Sequence, residues 1–177
     1  WTTHQMQLAM DRFAEIFGVA ATVHGAAGWQ MNRHALRLSE SLGLVYSSDS
    51  RGTHPFLPVV DDIMIRCPQF PTTLPTLDEL IGMDGVDPDG VVDRLLALTQ
   101  TPPTTGHVFT LHAELEGMKF LPILDQLLSG WRAQGYRLGA LRLLANALSV
   151  KDLPRHEVAY GSVRGRTGTL LVQGLSS

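Results

Sequence analysis

The sequence holds a single cysteine, Cys67, in 177 residues. One thiol excludes an intrachain disulfide framework and a zinc ribbon, and it fits a reducing compartment. No apolar run approaches the roughly 20 residues that a bilayer-crossing helix requires, and no signal peptide is visible. The net charge of −3 lacks the basic excess of a generic nucleic-acid surface, so no nucleic-acid partner is expected. There is no internal repeat and no low-complexity tract. Seven histidines are present, His4, His24, His34, His54, His107, His112 and His156, yet no two of them are four apart on a helix. A zinc site usually gathers three or four converging ligands, so no complete metal site is expected within these residues. The chain opens on Trp1 rather than methionine, so an upstream segment is expected.

What is present reads as about one domain of globular protein, with hydrophobic residues at 44%. Thr2-x-x-Gln5 has the form of a capping box. Met6, Met10, Phe13 and Phe17 then recur at helical spacing until Gly18 supplies a stop. Residues 19–25 read as a buried strand. Met31, Ala35, Leu38 and Leu42 give a second helical stripe, closed by Gly43. Leu44 to Ser48 and Ile63 to Cys67 read as short strands. Asp87-Pro88 is a helix start, with aspartate as N-cap and proline at the first position. His107 to Leu111 reads as a strand ending at His112. Phe120, Ile123, Leu124, Leu127, Leu128 and Trp131 form an amphipathic helix that Gly135 ends. A short strand and a helix fill Leu138 to Leu148. Residues 157–163 and 169–173 form a terminal β-hairpin around Arg164-Gly165-Arg166-Thr167-Gly168. Alternating helices and buried strands predict an α/β class with a parallel sheet. About four such units are present, too few to close an eight-unit barrel.

The stretch Thr110-Leu111-His112-Ala113-Glu114-Leu115-Glu116-Gly117 carries the clearest chemistry. A histidine at a strand end sits where α/β enzymes place general acids and bases, with Glu114 and Glu116 at hand; it is also an ordinary position for a hydrogen-bonded structural histidine. Asp49, in Tyr46-Ser47-Ser48-Asp49-Ser50-Arg51-Gly52, is a carboxylate able to pair with His112, and a carboxylate neighbour favours imidazolium. A turn-capping aspartate is the plainer reading. Arg51 is a candidate anion-binding or oxyanion-stabilising group, or a solvated arginine. Trp29, in Gly25-Ala26-Ala27-Gly28-Trp29, is a candidate pocket wall, or core. Arg132, Arg137, Arg142, Arg155, Arg164 and Arg166 crowd the last third, suited to a lipid phosphate or an anionic membrane surface, or to solvated faces.

In this order, Ala26-Ala27-Gly28-Trp29, Tyr46 to Gly52, Pro55-Phe56, Thr73-Leu74-Pro75-Thr76-Leu77-Asp78-Glu79-Leu80-Ile81-Gly82 and Thr110 to Gly117 resemble the second half of the polysaccharide deacetylase (NodB-type) family. More narrowly they resemble its branch of 4-deoxy-4-formamido-L-arabinose-phosphoundecaprenol deformylases of Gram-negative bacteria. The resemblance spans nearly the whole chain. It implies part of a distorted, incomplete (β/α)7-type barrel over residues 1–153, with the hairpin as a tail over 154–177. It implies hydrolytic removal of an N-formyl or N-acetyl group from an amino sugar, linked to undecaprenyl phosphate in the deformylase branch. With that come peripheral contact with the cytoplasmic face of the inner membrane, or a cytoplasmic location, and a part in lipopolysaccharide (lipid A) modification and antibiotic resistance. The family uses one divalent metal, usually zinc, held by an aspartate and two histidines, with a second aspartate as base. Those residues lie ahead of Trp1 and are absent here. The motifs that match place the catalytic acid at His112, its carboxylate partner at Asp49, and a pocket wall at Trp29. Glu114 and Arg51 are the remaining expected substrate contacts.

Two departures stand out. The wider family braces its base with an arginine in the motif near positions 25–28, where this chain has Gly-Ala-Ala-Gly. Gln30 stands where the deformylase branch often carries arginine, and Arg51 is the expected replacement. The alternatives are a deacetylase of chitin or peptidoglycan fragments, or a fragment inactive without its upstream half.

Overall fold

The computed structural model describes residues 1–81 and 87–177; Gly82, the last residue of the Leu-Pro-Thr block, lies outside them. The chain divides into two compact units. The first comprises Trp1–Pro71, Leu148–Gly161 and Thr169–Ser177, and the second Thr72–Ala147 and Ser162–Gly168.

The first unit begins with α1 (Thr2–Phe17). Gly18 ends it in the left-handed region at φ 70°, its N–H returning to Ala14 O, a conformation that glycine adopts without steric cost. The expected capping box does not form. Trp1 is the N-cap and no side chain caps it. The Thr2 hydroxyl instead accepts from the Asn32 amide at 3.3 Å. No residue of α1 is buried. β1 (Val23–His24) pairs in parallel with β2 (Tyr46–Ser47), so the expected strand over 19–25 shrinks to two residues. Between them runs α2 (Arg33–Ser41), whose N-cap Asn32 accepts from the Ala35 N–H at 2.8 Å. Its buried face is Ala35, Leu36 and Ser39, one step off the predicted stripe.

A four-stranded sheet follows in the order β4-β3-β5-β6, from β3 (Leu57–Val60), β4 (Ile63–Met64), β5 (Arg155–Gly161) and β6 (Leu170–Ser176). β3 and β5 run parallel; β3–β4 and β5–β6 are antiparallel. The α/β class therefore holds, but the sheet is mixed rather than parallel, and among the described residues the strands close no barrel. Leu36, Leu44, Phe56, Val60, Ile65, Cys67, Val158 and Leu171 form this unit's core.

The second unit is helical: α3 (Leu77–Ile81), α4 (Pro88–Leu98), α5 (Leu121–Ala133) and α6 (Leu141–Ala147). Asp87 caps α4 as the sequence predicts, its carboxylate accepting from Gly90 N–H at 2.8 Å. The predicted α5 stripe buries Ile123, Leu127 and Trp131 against Leu74, Leu77, Leu80, Val91, Val92 and Leu95. The Trp131 indole N–H donates to Thr99 Oγ1 at 3.0 Å, so the polar end of a buried ring is satisfied.

The predicted strand His107–Leu111 does not form. Thr73 N–H donates to Val108 O at 3.0 Å, but Val108 N–H turns to the Thr73 hydroxyl at 2.9 Å. A side-chain oxygen thus takes the donor that a ladder needs. His112 consequently ends an extended segment, not a strand.

Candidate active-site residues

His112 lies in the second unit. Just past it the chain turns: the N–H groups of Leu115 and Glu116 both return to His112 O at 3.0 Å, opening a one-turn π-helix over Leu115–Lys119. That turn carries Glu116 back under the histidine. Glu116 is fully buried, and its Oε2 accepts from the His112 backbone N–H at 2.7 Å. The His112 imidazole is 30% exposed, and its Nδ1 lies 4.0 Å from both Glu116 Oε2 and Asp78 Oδ1. This Nδ1 is buried and makes no hydrogen bond to protein. Two carboxylates therefore stand in ion-pair range of a ring nitrogen once it carries its proton.

Asp78 is itself held. The Thr76 hydroxyl donates to its Oδ1, and the Arg166 guanidinium lies 2.8 Å from its Oδ2. Arg166 also donates through Nε to Glu79 Oε1 at 2.9 Å. The other oxygen of Glu79 accepts the Thr76 backbone N–H at 3.0 Å, the return half of a capping box. Arg166, grouped in the sequence with arginines suited to lipid phosphate, is thus committed to Asp78 and Glu79. Gly165 permits this approach. It sits at φ +85°, and a Cβ there would come within 2.7 Å of Glu79 O. Gly165→Ala is expected to destabilise the protein by about 2 kcal/mol, a fall in Tm of about 4–8 °C, checked by thermal melting.

Asp49, the expected partner of His112, lies in the first unit, fully buried. Its own unit supplies its ligands. Oδ1 takes His24 Nδ1 at 2.7 Å and Ala26 N–H at 2.8 Å, and the Gln69 amide approaches Oδ2 at 3.4 Å. The hydrogen bond that His24 donates to Asp49 raises the pKa of His24; burial opposes this, and the charge attraction adds to it. The sign of the linkage follows. A histidine with its folded-state pKa raised contributes stability that is fully present below its unfolded value of about 6.5 and is lost as pH rises through the higher folded value. Wild-type Tm should therefore fall over that interval relative to His24→Gln; parallel curves would contradict the coupling.

Trp29 and Arg51 are brought together in the first unit. The Arg51 guanidinium carbon lies 4.6 Å from the centroid of the buried Trp29 ring, a cation–π contact. The backbone of Arg51 is tied to β6 through Leu171 O at 2.9 Å and Gln173 N–H at 2.8 Å. Glu114 is exposed and precedes the π-turn.

His24, Asp78, Glu79 and Arg166 are the partners that sequence reasoning did not assign, whereas Glu116 was expected near His112. Thr76-x-x-Glu79 is a capping-box signature that was there to be read. The second unit also holds a cavity of about 370 Å3 lined by His107, Phe109, Trp131, Tyr136 and Leu138 among others. His112 does not line it, so its chemistry is not assigned to that cavity. Burial lowers the His107 pKa, in keeping with an apolar wall. Among the described residues no three His, Cys, Asp or Glu side chains gather to hold a metal, and no helix is long and apolar enough to cross a membrane.

No family model matches the chain. Curated proteins do, among them the following two. The probable 4-deoxy-4-formamido-L-arabinose-phosphoundecaprenol deformylase ArnD of Wigglesworthia glossinidia brevipalpis is 28% identical over 169 residues, covering 95% of this chain and 58% of its own length. The protein of the same name from Shewanella sediminis (strain HAW-EB3) is 30% identical over 144 residues, covering 81% of this chain and 45% of its own length. The chain spans about half the length of the curated relatives it matches. Over 95% of its length this chain is therefore similar to a protein named as a 4-deoxy-4-formamido-L-arabinose-phosphoundecaprenol deformylase, and over 81% of it to a second protein of that name.

Proposed function

We propose that this chain is the acid-bearing part of a hydrolase that removes the N-formyl group from an amino sugar, 4-formamido-arabinose on an undecaprenyl phosphate carrier. The observation that carries the reading is the buried, unbonded Nδ1 of His112 between Asp78 and Glu116, set in a chain similar to named deformylases over 95% of its length.

The reaction adds water across the amide carbon and breaks the C–N bond, giving formate and a free sugar amine. The amine is a poor leaving group until its nitrogen takes a proton. His112 donates that proton from its other ring nitrogen, Nε2, while Asp78 and Glu116 flank its Nδ1 at 4.0 Å. Asp78 and Arg166 are positioning residues, acting through the histidine. Asp49, in the first unit, keeps the role of carboxylate partner that the matching motifs assign it. Trp29, Arg51 and, in the second unit, Glu114 are substrate contacts, with Arg51 in the bracing role that the motif near residues 25–28 lacks. Arg51→Ala in the full-length protein is expected to lower kcat/KM by about tenfold; an unchanged value would remove Arg51 from the site.

A bound divalent metal supplies activated water and a polarised carbonyl in such reactions. The described residues build no three-ligand site for one. Its ligands, zinc being the expected ion, are assigned to the part of the relatives' length that this chain does not span. A lipid-linked substrate places the enzyme at the membrane surface, in lipopolysaccharide (lipid A) modification and the antibiotic resistance that follows from it.

The test is release of formate and of acetate by the full-length protein from matched N-formyl and N-acetyl amino sugars, lipid-linked and free. Formate from the lipid-linked substrate, dependent on detergent or vesicles, is expected. Acetate from soluble chitin or peptidoglycan fragments would replace this reading with the deacetylase one.

A further inference from the structure

On the lipid-linked reading of the substrate, we propose that the open cavity of the second unit seats part of the isoprenoid chain of a polyprenyl phosphate, with Arg137 at its rim for the phosphate. The cavity holds about 370 Å3, within the range of small-molecule sites. That is room for part of such a chain and leaves the rest to the bilayer.

Three elements build the walls. α5 sends Leu127 into the core and lines the cavity with Leu124 and Leu128. The segment before His112 contributes Phe109, which meets the Trp131 ring edge-on at 5.2 Å. α6 contributes Leu141, Leu143 and Leu144, yet it buries none of its residues. Leucines that face an open cavity forgo the free energy that burial returns, and a hydrocarbon occupant restores it.

The wall also has a polar end, which favours an amphiphile over a plain hydrocarbon. His107 Nε2 is buried there without a hydrogen-bond partner. The His107 ring lies 6.0 Å from that of Tyr136, the residue before Arg137. Arg137 is exposed and makes no ion pair among the described residues. Of the six arginines crowded into the last third of the sequence, it is the one that lines the cavity. A guanidinium beside an apolar opening matches a phosphate carried on a hydrocarbon chain.

The rim adjoins the proposed acid. Leu111, half-exposed and lining the cavity, is the residue before His112. Leu143 is half-exposed in the same wall, and Met118 and Leu121, just past the acid, are exposed as well. Apolar side chains left at the surface of one unit suit the interface from which a lipid chain arrives.

The test is binding of prenyl, geranyl and farnesyl phosphate to the full-length protein and to the 177-residue chain, by calorimetry and by the methyl spectra of the leucines. These phosphates carry no amide, so binding is read apart from formate release. A protein that binds them and releases no formate loses the deformylase reading and keeps the cavity's occupant; one that releases formate and does not bind them loses the site alone. Affinity is expected to rise by about 10–100-fold for each isoprene unit added until the cavity is full, with the methyl signals of Leu141, Leu143 and Leu144 moving together. Leu143→Asp, whose position is open enough to tolerate a charge, should weaken geranyl phosphate by more than about tenfold, its fold checked by its melt. Arg137→Gln should remove the preference for geranyl phosphate over geraniol. Affinity that ignores chain length, or wild-type methyl signals that stay in place as the phosphate is added, would overturn the site; these readouts need no variant to fold. Binding by the 177-residue chain but not by the full-length protein would overturn it too, because the rest of the protein would then be the occupant.

Discussion

His112→Ala in the full-length protein is expected to lower formate release by about 10²–10⁴-fold, the usual contribution of a positioned general acid, with metal content unchanged. The imidazole is 30% exposed and carries no hydrogen bond at Nδ1, so truncating it leaves little for the fold to lose. The loss belongs in kcat, because the proton is delivered as the C–N bond breaks and not when the sugar binds. The carboxylates that flank Nδ1 make a second distinction. Asp78→Asn keeps the shape and the Thr76 contact but removes a charge from the ring and from Arg166. It should lower kcat with KM little changed, a split that a purely structural contact would not produce. If His112→Ala lost its metal together with its activity, His112 would be a ligand and not the acid.

Asp49→Asn is expected to cost about 3 kcal/mol of folding stability, a drop in Tm of about 6–12 °C for a chain of this size. The carboxylate is fully buried and accepts from His24, from Ala26 N–H and from the Gln69 amide. An asparagine brings one amide group to a place where every neighbour already donates, so donor meets donor, and His24 loses its counter-charge. The effect should shrink as pH rises and His24 gives up its proton, because the wild type then loses the same attraction. A variant that melts with the wild type at pH 6 would contradict the hydrogen-bond assignment.

The local signals were legible where a residue's role depends on its immediate neighbours. Asp87-Pro88 announces α4, and the spacing of Ile123, Leu127 and Trp131 announces the buried face of α5. The hairpin around Arg164–Gly168 was visible in composition, and β5 and β6 pair as its arms. What failed depended on partners distant in sequence. Thr2 looks like a cap until Asn32 takes up its hydroxyl. His107–Leu111 has strand composition, but Thr73 breaks the ladder with a side-chain oxygen. The parallel alternation of helix and strand gave no hint that β5 would pair beside β3 across roughly a hundred residues of chain.

The site shows the same division. His112 stood out because its neighbours in sequence are chemical. Its flanking carboxylate Asp78 lies 34 positions earlier, inside a block that carries the resemblance but was given no chemical role, and Arg166 sits in what looked like a solvated hairpin tip. Asp49 was recognisable as a motif carboxylate, but its pairing with His24 depends on β1 and β2 lying side by side.

The most direct measurement compares leaving groups. Wild type and His112→Ala are assayed for formate release from the amino-sugar formamide and from an activated formate ester whose nitrophenolate leaves without needing a proton. A loss of about 10²–10⁴-fold is expected on the sugar substrate and little loss on the ester. An equal loss on both would contradict the assignment of His112 as the group that protonates the departing amine.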